Sequence, residues 1–231
     1  MKDRFNFKQF CIRQDKCAMK VGTDGVLLGA WAPGGKHILD IGTGTGIMAL
    51  MMAQRYANAT IDGIDIDAEA CWQAKENAMA CHFGQYINIY ESRLQDWFPP
   101  YSYDAIVSNP PFFINALRNP DTQRSMARHT DTLSPRDLFQ HAHRLLSSNG
   151  LFSIIIPTNC LDSFVAESIF AGFYLLEKIN IKTVPHKGAS RSLLTFSKSY
   201  LQPTNSREET LVDASGQKTE WYARLTCDFY L

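Results

Sequence analysis

The stretch Asn109-Pro110-Pro111-Phe112 has the most specific chemistry of the chain. It follows the apolar run 103–107, which predicts a buried strand. Two prolines remove two backbone donors and fix φ, so no sheet can continue through them. The Asn109 side chain is then left at a strand's carboxyl end, where open α/β sheets bind ligands. An amide oxygen, a backbone carbonyl and an aromatic face suit a planar group that carries an NH2. Asn-Pro alone would favour a plain strand-ending turn.

A glycine-rich turn upstream favours a ligand-binding site over a plain strand-ending turn. Asp40 precedes Gly42, Gly44 and Gly46, which alternate with single residues. A dinucleotide-binding turn needs its third glycine at the position that Ile47 occupies here. Glycines let a backbone approach a ligand closely, and the following helix N-terminus favours negative charge. Asp40 could instead meet a cationic group on a ligand.

Asp65 follows the next apolar run, about 20 residues after the glycine turn, where a carboxylate accepts ribose hydroxyls. An acidic first half suits a nucleoside that bears a sulfonium and an amino acid better than it suits a diphosphate. The glycine turn alone is weak evidence, whereas its combination with Asp65 and Asn109 is specific.

Strands and helices alternate along the chain. The predicted strands are 37–41, 60–65, 86–90, 103–108, 151–156, 174–182 and 191–196, and the predicted helices are 25–31, 47–56, 68–80, 135–146 and 162–170. This order predicts a Rossmann-like α/β fold, a mostly parallel seven-stranded sheet with helices on both faces and an antiparallel last strand. Thr23 or Asp24 is expected to cap the first helix, Asp67 to cap the third, and Asn149-Gly150 to end the fourth.

Composition is ordinary for a globular protein, with 231 residues, 45% of them hydrophobic, and zero net charge. The charge is unevenly distributed. Residues 1–20 carry six Lys/Arg and two Asp/Glu, 21–111 carry four and ten, 112–198 carry ten and six, and 199–231 carry three and five. The basic excess on both sides of the acidic segment suggests a polyanion near the site, although random scatter of surface charge would give the same counts.

Six cysteines form no Cys-x-x-Cys pair, and no histidine spacing suggests zinc, so we expect no metal. The N-terminus leads into no apolar signal segment, and no run of about 18 apolar residues could span a membrane. These features predict a cytoplasmic protein in a reducing compartment. We also expect it to be a monomer.

The glycine turn, Asp65 and Asn109-Pro110-Pro111-Phe112 together resemble the class I S-adenosylmethionine-dependent methyltransferases that modify planar exocyclic amines. Three further stretches resemble one family within this class, namely 15–31 (DKCAMKVGTDGVLLGAW), Arg128-His129 and the ending 225–231 (LTCDFYL). With them the chain resembles the bacterial tRNA1(Val) adenine-N6 methyltransferase family over nearly its whole length. That resemblance implies methylation, at N6, of the adenine 3′ of the anticodon in tRNA(Val). It also implies a methyltransferase domain over 36–231, preceded by a basic arm and short helix over 1–35.

The resemblance assigns roles residue by residue. The implied catalytic residues are Asn109, Pro110, Pro111 and Phe112. The implied S-adenosylmethionine-binding residues are Lys20, Thr23, Asp24, Asp40, Gly42, Gly44, Gly46, Asp65, Ile66, Arg93, Leu94 and Asn109. The basic residues proposed to contact tRNA phosphates are Arg118, Arg124, Arg128, Lys182, Lys187 and Arg191.

One position departs from the family. Relatives carry an acid for the cofactor's adenine after the third strand, where this chain has Ser92-Arg93 and only a shifted Asp96. Two other functions stay open. A protein-glutamine N5 methyltransferase also uses an Asn-Pro-Pro-aromatic turn, but its family carries a sizeable helical N-terminal domain, for which about 35 residues leave little room. A non-catalytic RNA-binding module is the other, against which the intact motifs argue.

Overall fold

The computed structural model describes residues 3–17, 20–111 and 133–231. Their centre is an eight-stranded sheet in the order β10-β8-β9-β7-β6-β3-β4-β5, and a two-stranded antiparallel hairpin, β1-β2, lies apart from it. The strands are β1 Arg4–Asn6, β2 Cys11–Arg13, β3 His37–Ile41, β4 Thr60–Asp65, β5 Ile87–Glu91, β6 Tyr103–Ser108, β7 Leu146–Pro157, β8 Tyr174–Lys182, β9 Arg191–Ser197 and β10 Asn205–Thr210.

Helices cover both faces of this sheet. They are α1 Thr23–Trp31, α2 Ile47–Arg55, α3 Ala68–Met79, α4 Pro135–Leu145, α5 Leu161–Phe170 and α6 Glu220–Thr226, and short 3-10 turns lie at Gly84–Tyr86, Leu94–Asp96 and Thr158–Cys160. Two apolar clusters result, one on each side, in which Leu50 and Phe152 are fully buried. None of the helices in the described ranges is long and apolar enough to cross a membrane.

The sheet direction brings the site residues to one edge. β3 is parallel to β4 on one side and to β6 on the other, so the chain order reverses at β3. Ligands bind at such switch points, beyond the carboxyl ends of the strands. The glycine turn follows β3, Asp65 ends β4 and Asn109 follows β6, so the three meet there. β8 is parallel to its edge partner β10, and β9 runs antiparallel between β8 and β7.

The mostly parallel sheet with an antiparallel β9 confirms the predicted fold class, but the strand count differs. The described chain has eight strands in the main sheet, because the polar segment Asn205–Thr210 pairs with β8 at the edge. Edge strands need no apolar run, so their sequence carries little signal.

Two predicted helix ends were wrong. Gly22 is the N-cap of α1, which begins at Thr23, and no side chain caps it. α4 ends at Leu145 rather than at Asn149-Gly150, because Leu146 already enters β7. The Asp67 cap is confirmed, since its carboxylate accepts the N–H groups of Glu69 and Ala70.

Candidate cofactor and catalytic site

The glycine turn is tied to the neighbouring strand by backbone hydrogen bonds. The N–H groups of Gly42 and Thr43 both donate to the carbonyl of Ile64, at 2.9 and 3.0 Å. Gly42, Gly44 and Gly46 have φ of 71°, 54° and 80°, a left-handed conformation that side-chain-bearing residues rarely adopt. A Cβ on Gly42 would meet no atom within 4 Å, so this backbone faces open space. The turn therefore presents bare main chain to a ligand.

Asp65 stands beside this turn. One carboxylate oxygen accepts the Gly44 N–H at 2.9 Å, and the other accepts the Asp67 N–H at 3.1 Å. The side chain is half-buried, and each carboxylate oxygen has a second lone pair. Asp65 can therefore hold the turn and still accept hydroxyl donors from a ligand.

Asp40 lies behind the turn, fully buried. One oxygen accepts the Thr43 hydroxyl at 2.8 Å and the Ala49 N–H at 3.1 Å, and its other oxygen has no hydrogen-bond partner within the described part of the chain. Burial raises the pKa of this carboxyl to about 7, and the charge of Asp65 adds to the rise. Asp40 is not among the residues that line the cavities described below, so it orders the turn from behind, and the direct ligand contact expected from the sequence has no support in its position.

A first cavity of about 290 Å³ opens in front of the turn. Its walls are mainly apolar, with Asp65 as the carboxylate nearest the turn. The lining residues are Cys17, Ile41, Gly42, Gly44, Ile64, Asp65, Ile66, Asp67, Ala70, Ser92, Arg93, Leu94, Gln95, Asn109, Pro111 and Leu133. Ile66, Arg93 and Leu94 were predicted here. The shifted Asp96 does not line this cavity but borders a neighbouring groove with Glu91.

A second cavity of about 280 Å³ lies on the other side of the same turn and has charged walls of both signs. Its lining residues are Lys20, Gly22, Thr23, Asp24, Gly25, Gly42, Thr43, Gly44, Thr45, Ile47, Met48, Asn109 and Arg191. Lys20, Thr23 and Asp24 were predicted near the cofactor. Lys20 Nζ also donates to the Gln14 carbonyl at 2.8 Å, and Asp24 pairs with Arg191. Gly46, which lines neither cavity, instead packs its bare Cα against Ala74.

Asn109 borders both cavities, together with Gly42 and Gly44. It is half-buried and follows Ser108, whose hydroxyl donates to the Ile41 carbonyl at 2.9 Å and so locks β6 to β3 just before the turn. Pro110 is buried and Pro111 is exposed, so the chain leaves the sheet at once. Asn109 is thus held between the two cavities, beside any ligand that extends across the glycine turn.

The remaining predicted residues are spread more widely. Phe112, Arg118, Arg124 and Arg128 lie outside the described residues. Lys182 pairs with Glu208 at 2.7 Å, Arg191 lines the second cavity, and Lys187 is exposed in the loop between β8 and β9.

Sequence reasoning missed Cys17 and Gln95 as cavity residues, since only tertiary packing brings them there. Among the described residues, no group of three or more His, Cys, Asp or Glu side chains could hold a metal.

Comparison with known proteins shows the class of enzyme to which this chain belongs. The model of the methyltransferase small domain family matches residues 22–180, and the chain belongs to that family. A predicted O-methyltransferase from Agrobacterium tumefaciens shares its fold, with a TM-score of 0.68 at 19% identity over 89% of this chain and 96% of that one. A glycopeptide N-methyltransferase solved with S-adenosyl-L-methionine covers 78% of this chain and all of its own, with a TM-score of 0.57 at 9% identity. The protein is a class I methyltransferase, and its cofactor is S-adenosylmethionine.

Relatives that match over nearly their full length identify a more specific family. The tRNA1(Val) (adenine(37)-N6)-methyltransferase of Parabacteroides distasonis is 41% identical over 98% of this chain and 97% of its own length. The enzyme of that name from Proteus mirabilis is 41% identical over 100% of this chain and 94% of its own. The chain therefore belongs to the tRNA1(Val) (adenine(37)-N6)-methyltransferase family, as its motifs predicted.

The residues present fit the cofactor. The space in front of Gly42 admits a ligand against bare backbone, and the apolar first cavity with Asp65 suits an adenosine. The carboxylates that line the two cavities, Asp65 and Asp24 among them, suit a ligand that carries positive charge rather than a diphosphate.

Proposed function

We propose that this protein transfers a methyl group to the exocyclic N6 amine of adenine 37, the base 3′ of the anticodon, in tRNA1(Val). The observation that carries the proposal is the position of Asn109, which follows β6 and borders both cavities beside the glycine turn. The full-length relatives with that printed activity support the choice of substrate.

The cofactor would lie across the glycine turn. Its adenosine would occupy the first cavity, between Ile66 and Leu94, with the ribose hydroxyls on Asp65. Its amino-acid end would reach the second cavity, where Asp24 can meet an ammonium group and Arg191 or Lys20 a carboxylate. Ser92-Arg93 stands where relatives carry an acid, and Asp96 does not line the first cavity, so the adenine amine would depend on other groups of that wall.

The chemistry rests on Asn109 and Pro110. When bound, S-adenosylmethionine supplies a methyl group already activated by its sulfonium. The substrate amine is a poor nucleophile because its lone pair is delocalised into the ring. An amide oxygen on Asn109 and a carbonyl on Pro110 that accept its two N–H groups would localise that lone pair toward the methyl. The amine nitrogen would take up that methyl group and would then release one proton to solvent, because the amide oxygen and the carbonyl are too weakly basic to retain it. Phe112 is the proposed stacking partner of the flipped base.

The RNA would approach at the same sheet edge. The β8–β9 loop holds the exposed Lys187 and follows the carboxyl end of β8, which lies at this edge because β8 runs in the same direction as β6. Lys187 is therefore the best-placed phosphate contact among the described predicted residues. Lys182 is already paired with Glu208, so its contribution would be smaller. None of the six cysteines, all of which lie in the described residues, forms a disulfide, which supports a cytoplasmic location.

Radiolabelled methyl transfer to total tRNA, to ribosomal RNA and to a glutamine-bearing release-factor peptide tests the proposal. Label in the tRNA alone is the expected result. Label in the peptide and not in tRNA would place the chain among the protein-glutamine methyltransferases.

A further inference from the structure

Two amide side chains on α3 hold the N-terminal arm against the glycine turn. Asn77, 1% exposed, accepts the Arg13 N–H at 2.8 Å and donates to the Arg13 carbonyl at 2.9 Å. The same amide donates to the Thr45 carbonyl at 2.8 Å, between Gly44 and Gly46 of the turn. One buried side chain thus bonds both the arm and the turn.

Gln73, one helical turn before Asn77, repeats the pattern further along the arm. It is fully buried, and its side-chain oxygen accepts the Lys16 N–H at 3.0 Å. Lys16 extends over the Trp72 ring and toward Glu76 on the same helix. Ala74, between the two amides, packs against Gly46. This face of α3 therefore fixes the arm and the turn together.

The arm in turn supplies a wall of the first cavity. Cys17 follows the residues that Gln73 and Asn77 hold, is 7% exposed and lines the same cavity as Asp65 and Ile66. A Cβ on Gly44 would lie 3.7 Å from its sulfur. Cys17 is thus within reach of a ligand seated on the turn.

We propose that Asn77 and Gln73 are positioning residues for the cofactor: they dock residues 13–17 as a wall of the cofactor cavity and fix that wall relative to the glycine turn. The segment then serves the cofactor rather than the RNA, although its charge alone favours RNA. Consistent with this, Lys16 and Lys20 both make intramolecular contacts. The inference rests on the proposed cofactor placement across the turn.

Three variants of the full chain test it. Gln73→Met keeps the side-chain length and apolar packing but removes the acceptor for Lys16, and Asn77→Ala removes the shared amide. Asn88→Ala is the matched control, because Asn88 donates its amide at 3.1 Å to buried Asp62, which lines neither cavity. Calorimetry with S-adenosylhomocysteine and peptide-resolved alkylation of Cys17 by iodoacetamide are the two readouts, followed by steady-state methylation.

We expect S-adenosylhomocysteine to slow Cys17 alkylation in the wild type. Gln73→Met and Asn77→Ala should each weaken its binding by about tenfold, the scale of one lost buried hydrogen bond, and speed alkylation. They should raise KM for S-adenosylmethionine with kcat nearly unchanged, and Asn88→Ala should change neither binding nor alkylation. Gln73→Met is the milder change, so it can still be measured if Asn77→Ala does not fold.

Wild-type affinity in the folded Gln73→Met variant would overturn the inference. So would unprotected Cys17 in a protein that binds S-adenosylhomocysteine. The cofactor placement itself is tested separately by Asp65→Ala, which should lose affinity whether or not the arm contributes.

Discussion

Asp24, in the first turn of α1, forms an ion pair with Arg191, the first residue of β9 and 167 positions away in the sequence. Both side chains line the second cavity beside Asn109. Their charges match the ammonium and carboxylate groups of an amino acid, which is why we place that end of the cofactor there.

Asp24→Asn and Arg191→Gln should therefore each weaken S-adenosylhomocysteine binding by about tenfold, the worth of one charge-assisted contact. Binding of 5′-methylthioadenosine, which lacks the amino-acid end, should stay within about twofold, since that ligand never reaches the pair. Calorimetry with both ligands makes the measurement. Equal losses for the two ligands would mean that the pair only supports the fold. If both ligands bind with unchanged affinity and Arg191→Gln binds tRNA more weakly, Arg191 contacts the RNA rather than the cofactor.

Asn109→Ala should lower single-turnover methylation of a tRNA transcript by about 10²-fold, the scale of losing one preorganised polar contact at the reacting atoms. S-adenosylhomocysteine affinity should fall far less. Asn109→Asp is the control, because its carboxylate still accepts an N–H, and it should retain more activity than the alanine variant. Near-wild-type turnover in Asn109→Ala would remove this side chain from the mechanism.

The buried carboxyl of Asp40 should make the stability of the cofactor-free protein depend on pH. Its pKa of about 7 in the folded protein is above the ordinary value of 3.8, so between these values the unfolded chain has released a proton that the folded chain retains. The free energy of unfolding contributed by this group therefore falls as pH rises from about 4 to about 7. Asp40→Asn removes the proton and keeps an acceptor for Thr43 and Ala49.

Urea unfolding between pH 5 and pH 8 measures this effect. Between pH 5 and pH 8, the free energy of unfolding of Asp40→Asn should rise by at least about 1 kcal/mol relative to that of the wild type, since one pKa unit corresponds to about 1.4 kcal/mol. The free energy of unfolding of Asp15→Asn, a variant at an exposed position of the arm, should change with pH as that of the wild type does. Parallel profiles for Asp40→Asn and wild type would show that Asp40 is ionised in the folded protein throughout.

Lys187→Gln should weaken tRNA binding and reduce the slope of log affinity against log salt by about one, the amount expected for one lost phosphate contact. Lys182→Gln should have a smaller effect because Lys182 is paired with Glu208. Filter binding between about 50 and 200 mM salt measures both, and S-adenosylhomocysteine affinity should stay unchanged. An unaltered slope in Lys187→Gln would exclude the β8–β9 loop from the phosphate contacts.

The sequence predicted the parts of this molecule that depend on local signals. Pro110-Pro111 fixed the end of β6, apolar runs located β3 and β4, and the Asp67 side chain marked the start of α3. Each of these signals acts within a few residues, where backbone geometry decides the outcome.

What it could not predict depends on distant contacts. β10 is polar and exists because it pairs with β8, and Arg191 faces Asp24 only once β9 is inserted in the sheet. Nothing in the sequence marks Gln73 and Asn77 as buried, and the structure buries both where they bond distant segments of the chain. Asp40 was expected at the ligand, but the tight turn directs it inward to Thr43 and Ala49.

Site-resolved methylation of a tRNA1(Val) transcript tests the central claim most directly. The purified protein would be incubated with labelled S-adenosylmethionine and either the natural transcript or one with guanine in place of adenine 37. The account predicts N6-methyladenosine in the natural transcript and no label in the substituted one. Equal labelling of both transcripts, or label in a release-factor peptide with none in either tRNA, would contradict it.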